Sequence, residues 1–483
     1  METKEEFLDY LQSTDIEIGF QDLYDHVINK EACVFCGACV SLCPRIGIKN
    51  RNPTLIDRDS ECSLCFKYCA RTYFPEEMFE KEIFKDKIPK DLLLGHFQHI
   101  NAAKSTNKDI LKVAQDGGIV TTLLIHALNT GLIDGVLLAD RDDYWVPKPI
   151  VVRSAEEILA VAGSIYTMAP TLLSYSDAVN EYKLEKLGFV GMPCQIQAVR
   201  KLQLWPPLSE KYGKFTLIIG LYCTSNYSYD LMEKLVQDKL QIQMNDIDKF
   251  DISRGKFIVY TKDGQSKQVP IKETKKYNWS SCQYCKDYTA EFADISVGSV
   301  GKPEEGWNSV IIRSEIGKKL FDDAINAKKI ITVDKVDISK IKKEALKKKS
   351  RIKELDEKVF SAVRFLDISE LEIKTYAIIV SLGYSDLSIL SRVMKIEKER
   401  IQKVVNSLIK RKWIIAYNGF YKPINPTKII KDEIDKFKRD FRRNIERIKN
   451  EALIDLETLF EQNNLMYVNY KEYLDEILDR QLL

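Results

Sequence analysis

Residues 114–140 read AQDGGIVTTLLIHALNTGLIDGVLLAD. The pair Gly117-Gly118 opens an amphipathic helical stretch from Gly118 to Asn129, and after a turn Gly135 to Ala139 is a short apolar run of strand type. The same alternation extends from about Lys112 to Val336. Runs at Gly188 to Val190, Phe215 to Tyr222 and Lys256 to Tyr260 are spaced by helical segments, and such alternation predicts an α/β or α+β domain built on a substantial sheet.

Upstream lies Cys33-x2-Cys36-x2-Cys39-x3-Cys43-Pro44. This is the bacterial ferredoxin spacing, in which three thiolates on a tight loop hold one cubane while the fourth turns to a neighbouring cluster. Four ligands this crowded do not suit one tetrahedral zinc ion. The second half, Asp59 to Ala70, keeps Cys62, Cys65 and Cys69 but has Asp59 where a first cysteine would stand. Crossed ligation then predicts one 4Fe–4S cluster on Cys33, Cys36, Cys39 and Cys69, and a second centre ringed by Cys43, Asp59, Cys62 and Cys65. If Asp59 is a ligand, that centre has an exchangeable iron or is a 3Fe–4S cluster; otherwise Asp59 is a loop acid.

The remaining cysteines are scattered. Cys194 follows a short strand and opens the helical run QIQAVRKLQ, where amide N–H groups favour a thiolate. Cys223 ends the apolar run FTLIIGLY, and Cys282-x2-Cys285 forms a close pair. From spacing alone, these four would hold one more cluster or a zinc ion.

Downstream, the basic run ISKIKKEALKKKSRIKE reads as a linker helix with a solvated face. Three helices follow, Ser369 to Leu382, Leu387 to Met394 and Lys398 to Lys412, then a hairpin turning at Asn418-Gly419, which together make a winged helix. Ile430, Ile434, Phe437, Phe441, Ile445, Ile448 and Ala452 recur at spacings of three and four, the stripe of a coiled-coil helix. The organisation expected is a lead helix (1–30), a ferredoxin-like domain (31–75), an α/β body (76–350), a winged helix (351–427) and a coiled-coil tail (428–483).

At 483 residues the chain exceeds one hydrophobic core, which agrees with several domains. Lys plus Arg (73) nearly balances Asp plus Glu (71), so the whole chain lacks the basic excess that nucleic-acid binding leaves. The start METKEEFLDY is acidic rather than signal-like and no apolar run approaches a membrane span. A cytoplasmic protein is therefore expected, with its eleven cysteines reduced and serving as metal ligands.

Together CVFCGACVSLCP, AQDGGIVTTLLIHALNTGLIDGVLLAD, AGSIYTMAP, GFVGMPCQIQAVRKL, IGLYCTSNYSYD and CQYCKDYTAEFADISVGSVG followed by GWNSVIIR resemble, in order, the family of beta subunits of coenzyme F420-reducing hydrogenases and dehydrogenases. The resemblance runs from about Gly19 to Lys349. It implies FAD, approached by Gln115, Asp116, Gly117, Gly118, Val120 and Thr121, with Gly163, Ser164, Tyr166 and Thr167 near its ring. It implies a 4Fe–4S cluster on Cys194, Cys223, Cys282 and Cys285, about three clusters in all, and the deazaflavin coenzyme F420 as substrate. Hydride would pass between F420 and FAD, and single electrons through the clusters to or from a hydrogenase, heterodisulfide reductase, formate dehydrogenase or ferredoxin. The coenzyme suggests an archaeal source.

The same resemblance also covers ferredoxin-dependent reductases of organic substrates, which is the alternative enzyme reading. Residues 365–427 resemble the TrmB-type winged-helix family and depart from ordinary family members, which end near Lys349. That extension admits a redox-sensing DNA-binding regulator. The acidic Glu397 and Glu399 in the first turn of the recognition helix favour a dimerisation and docking role instead, in a homodimer or larger complex.

Overall fold

The computed structural model describes residues 19–57, 62–85, 89–204, 212–351, 357–363, 366, 368–417, 419–462 and 470–481. Asp59, Asn418 and most of the lead helix lie outside them. The chain divides into two compact units, Met1–Arg351 and Ile352–Leu483.

The first unit is organised by an eight-stranded mixed sheet. Its strands are β3 (His99–Ser105), β4 (Gly135–Arg141), β5 (Pro147–Val152), β6 (Leu187–Gly191), β7 (Phe215–Leu221), β11 (Ile295–Gly298), β12 (Asn308–Ile312) and β13 (Ile330–Val333), in the order β13-β3-β12-β11-β7-β6-β4-β5. The central four, β4, β6, β7 and β11, are parallel neighbours, and every outer pairing is antiparallel. Both faces are covered, so the central strands are apolar throughout rather than alternating with polar residues.

Successive residues of a strand serve opposite cores. Leu217 and Ile219 join Val136, Leu123 and Leu124 of the helix Ile119–Asn129, and Leu320 and Phe321 of the helix Glu315–Asn326. Ile218 and Leu137 face the other way, against Ile196, Val199 and Leu202 of the helix Pro193–Leu204. Tyr68, Met78 and Phe79 from the cysteine-rich N-terminal segment enter this second core. A separate antiparallel sheet, β8 (Ile247–Ser253), β9 (Lys256–Thr261) and β10 (Ser266–Pro270), packs Phe250, Phe257 and Val259 against Trp145 and Tyr227.

The cysteine-rich segment sets a hairpin, β1 (Ile46–Lys49) and β2 (Asn52–Leu55), between the short helices Ala38–Leu42 and Leu64–Tyr68. It is fastened to the α/β body. Gly37 has φ +92°, and a Cβ there would meet the backbone N of Leu173 at 2.6 Å and O of Pro170 at 2.8 Å, so only glycine allows this approach. Leu172 N–H donates to Cys36 O (2.9 Å), and Trp279 Nε1 donates to Cys33 O (2.7 Å).

The basic run departs from the solvated linker expected of it. The helix Ile338–Lys349 belongs to the first unit, with Ile341, Ala345, Leu346 and Lys348 buried, because its lysines occupy two faces and one of these packs on the body. In the second unit the helices Glu370–Leu382, Leu387–Met394 and Lys398–Lys410, and the hairpin β14 (Ile414–Tyr417) and β15 (Phe420–Pro423), enclose a core of Tyr376, Ile379, Leu390, Ile401, Val405, Leu408 and Trp413. The first of these helices begins one residue after Ser369 because Ser369 caps it, accepting from Glu372 N–H while Glu372 accepts from Ser369 N–H. Helix continues through Pro426–Arg447, Ile448–Ala452 and Leu453–Gln462, and leaves Phe441, Ile448, Ile454 and Leu456 exposed.

Candidate metal centres

Parallel strands send their C-terminal ends to one edge of a sheet, where α/β proteins place their sites. Cys194 lies just beyond β6 and Cys223 just beyond β7. The turn Ser280–Tyr284 and the residue after it bring Cys282 and Cys285 to the same edge. All four line one cavity, with Arg71, Met168, Met192, Pro193, Asn226, Ser281 and Lys348 completing the wall. Among the described residues no three His, Cys, Asp or Glu side chains converge closely enough to hold a single ion.

The helix start does not dominate the thiol of Cys194. Burial pushes it well above the usual thiol range, the neighbouring Cys285, Cys223 and Cys282 add to this, and the Arg71 charge opposes it. Cys223 is likewise pushed up to about 12, chiefly by burial, with Lys348 pulling the other way. Buried thiols of this kind surrender their protons when cationic metal replaces them. Asn226 N–H already donates to Cys282 Sγ (3.3 Å), and Lys348 Nζ donates to Cys223 O (2.5 Å), so donors and positive charge surround the thiols. This donor set fits an iron–sulfur cluster.

At the ferredoxin-type loop, Cys36, Cys33, Cys69 and Cys65 all act electrostatically on Cys39, and burial foremost lifts the thiols of Cys33, Cys36, Cys39 and Cys69. Phe35 N–H donates to Cys33 Sγ and Arg71 N–H to Cys69 Sγ, each at 3.4 Å. Cys43 and Cys65, together with Cys33, Cys39 and Cys69, share an apolar cluster with Phe20, Leu23, Val27 and Ile46, while Cys62 is exposed. Val34 and Cys36 pack with Cys194, Cys285 and Met192, so the loop quartet adjoins the chamber at the sheet edge.

The two segments expected at the flavin also meet. Gln115 Nε2 donates to Asp251 Oδ1 (3.0 Å), and Asp116 accepts from Ser299 Oγ and pairs with Lys302. Tyr166 lies near both carboxylates: burial first, then Asp251 and Asp116, push its phenol upward. Gly118 (φ +69°) starts the helix bearing Val120 and Thr121. Gly117 lies against Ala103 O and Asn308, where a Cβ would come within 2.9 Å of strand atoms, so its first service is strand packing. Gly163 and Ser164 lie on the loop before Tyr166. Among the described residues, the buried hydroxyl of Thr167 has no hydrogen-bond partner. Met168, the next residue, is already a wall of the thiol chamber, and its N–H donates to Tyr227 O (2.9 Å).

Sequence reasoning missed Arg71, Lys348 and Asn226 at the chamber, and Asp251, Ser299 and Lys302 at the flavin segments. Only Lys348 carried a signal, since it sits in a conspicuous basic run.

A four-thiol chamber at a mixed-sheet edge, abutted by a ferredoxin-type loop, defines an iron–sulfur oxidoreductase. Comparison with known proteins gives the family. Residues 100–174 match the N-terminal, and residues 184–338 the C-terminal, model of the coenzyme F420 hydrogenase/dehydrogenase beta subunit. Residues 26–45 match a 4Fe-4S binding domain and residues 363–427 the sugar-specific transcriptional regulator TrmB. The coenzyme F420 hydrogenase subunit beta of Methanothermobacter thermautotrophicus is 42% identical over 49% of this chain and 84% of its own length. One subunit of the F(420)H(2) dehydrogenase of Methanosarcina mazei is 35% identical over 61% and 83% respectively. A chain of the F420-reducing NiFe hydrogenase complex from Methanosarcina barkeri superposes with a TM-score of 0.51 at 39% identity, covering 53% of this chain and 90% of that one. The chain belongs to the family of coenzyme F420 hydrogenase/dehydrogenase beta subunits and is an F420-dependent oxidoreductase. Among the described residues no helix is long and apolar enough to cross a membrane.

Proposed function

We propose that the protein exchanges hydride with coenzyme F420 at a bound FAD and passes single electrons along its iron–sulfur clusters to or from a partner such as a hydrogenase, heterodisulfide reductase, formate dehydrogenase or ferredoxin. The observation that carries this reading is the continuity from Thr167 and Met168 to the Cys194 chamber, and from that chamber to Cys36 of the ferredoxin-type loop. FAD supplies the conversion between two-electron hydride chemistry and one-electron transfer.

This chain's residues set up the rest. Gln115, Asp116, Gly117, Gly118, Val120, Thr121, Gly163, Ser164, Tyr166 and Thr167 would hold the flavin. Lys302 and Ser299 fix Asp116, and Asp251 fixes Gln115. Tyr166, kept neutral by burial, can donate a hydrogen bond, and the Thr167 hydroxyl awaits a partner. Cys194, Cys223, Cys282 and Cys285 would hold one cluster and Cys33, Cys36, Cys39 and Cys69 another. Cys43, Cys62 and Cys65, with Asp59, would hold a third. The test is anaerobic mixing of iron-replete protein with reduced F420 and a viologen dye. Dye reduction matched by return of the deazaflavin absorbance supports the reading, whereas dye reduction by ferredoxin alone would favour a ferredoxin-dependent reductase.

For the second unit we favour docking or self-association. Exposed Phe441, Ile448, Ile454 and Leu456 along the tail helix support it, since such a stripe is costly in water. Removal of residues 426–483 should lower the mass by light scattering without loss of flavin; sequence-selective DNA binding altered by reduction would instead favour a regulator.

A further inference from the structure

Four buried or part-buried cations flank the thiol sites, and they differ in what their N–H groups do. Arg351 Nη1 donates to Thr224 O (2.9 Å) and Cys282 O (3.4 Å). Lys201 Nζ donates to Cys69 O (2.7 Å) and Thr72 Oγ1 (3.2 Å). Lys348 Nζ donates to Cys223 O (2.5 Å). Arg71 is unlike them. It follows the last ferredoxin cysteine by two residues, its backbone N–H donates to Cys69 Sγ, and its side chain lines the Cys194 chamber. Its Nε and Nη2 are buried without any acceptor among the described residues.

A guanidinium presents N–H donors in a fixed fork, and leaving two of them buried and unmet is costly. Elsewhere the fold satisfies such a group fully: Arg313 donates to Leu94 O, His96 O, Thr289 O and Oγ1, and Ser296 Oγ. The acceptors that Arg71 lacks must therefore come from what fills the chamber. Its charge also acts on both thiol sets, on Cys33, Cys36 and Cys69 and on Cys194.

We propose that Arg71 is a positioning residue shared by two clusters: its Nε and Nη2 donate to sulfur of the cluster in the Cys194 chamber, and its charge favours the reduced state on both sides of the boundary. When one electron arrives, the cluster gains one negative charge that the guanidinium offsets, and no proton moves. Hydrogen bonds and nearby charge are known controls of cluster potential.

This inference rests on clusters occupying both sites, so iron content is measured first; iron-poor protein would count against that reading rather than against Arg71. In iron-replete holoprotein followed by EPR during redox titration, R71Q is expected to lower the midpoint potentials of both clusters, and R71K to restore much of the shift. Unchanged potentials in R71Q, or an equal shift in R71K, would overturn the proposal. A second measurement stands even if R71Q loses iron. Because Arg351 also lies beside Cys282, the label is read in an R351K background. R351K holoprotein carrying 15N-guanidino arginine should show nitrogen hyperfine coupling to a reduced cluster by pulsed EPR, and this coupling should vanish when R71K is added. Absence of the coupling in R351K, or its persistence in the double variant, refutes the assignment.

Discussion

Arg200 Nη2 donates to Asp294 Oδ1 at 2.9 Å, with both side chains 4% exposed. The pair ties the helix Pro193–Leu204 to the loop leading into β11. Asp294 Oδ2 accepts from Ile218 N–H (2.8 Å) and its Oδ1 from Ser314 Oγ (2.7 Å), while Arg200 Nε donates to Phe292 O (2.8 Å). One carboxylate thus fixes the helix, β7 and the start of the helix Glu315–Asn326. Asp294→Ala leaves Arg200 buried with its charge unpaired, and should cost about 3–5 kcal/mol. Denaturant unfolding of the holoprotein followed by circular dichroism measures it; a loss below about 1 kcal/mol, the scale of a single ordinary hydrogen bond, would mean the network is redundant.

Cys194→Ser removes one ligand from the chamber while leaving the ferredoxin-type loop intact. Iron should fall by about four per chain, and the EPR signal of the loop cluster should persist. Unchanged iron in both Cys194→Ser and Cys194→Ala, the second of which offers no oxygen ligand, would show that the chamber holds no cluster.

Glu291 packs among Asp287, Lys349 and Arg313, and burial outweighs the pull of Lys349, lifting its carboxyl from 4.5 to about 7. The folded protein therefore keeps a proton that the unfolded chain has released between those values. Stability contributed here is present below about pH 4.5 and declines as pH rises toward about 7, by at most about 1.4 kcal/mol per pH unit. Glu76, beside Glu291 and lifted to about 7 chiefly by burial, acts in the same window, so Glu291→Gln should lessen this slope, read as the denaturation midpoint against pH, without abolishing it. An unaltered slope would move its origin to another group.

In the winged helix, Ser369 Oγ accepts from Glu372 N–H at 3.2 Å and closes a capping box. Ser369→Ala should weaken the first turn of the helix Glu370–Leu382 by about 1 kcal/mol. Faster amide exchange confined to residues 370–374 would register the change. The chamber lies in the other compact unit, so cluster EPR should be unaffected.

How much of this was legible in the sequence follows from how local each feature is. The loop Cys33 to Cys43 declares itself because its ligands are neighbours in the chain, and Ser369 with Glu372 does so as a cap. The set Cys194, Cys223, Cys282 and Cys285 is nonlocal. Spacing left it open between a cluster and zinc, and the order of motifs joined it, since parallel strands deliver residues from distant segments to one edge. Arg71 is a lone cation beyond a cysteine and leaves no periodic trace. Lys348 was hidden because a run of lysines reads as solvated, although a helix turns one lysine in every few toward its core. Asp251 comes from the small sheet, whose packing against Tyr166 no local pattern announces.

The left-handed turn at Gly37 has a consequence for how the protein can be taken apart. With Pro170 and Leu173 pressed onto a residue that has no room for a side chain, the cysteine loop and the segment carrying Tyr166 and Thr167 are cast as one piece. Electron carriers are often pictured as interchangeable beads, yet this one is keyed to its seat. A foreign ferredoxin grafted at residue 31 would dock only if it presented a bare backbone at that point, so exchange of the wiring between relatives requires exchange of the socket as well.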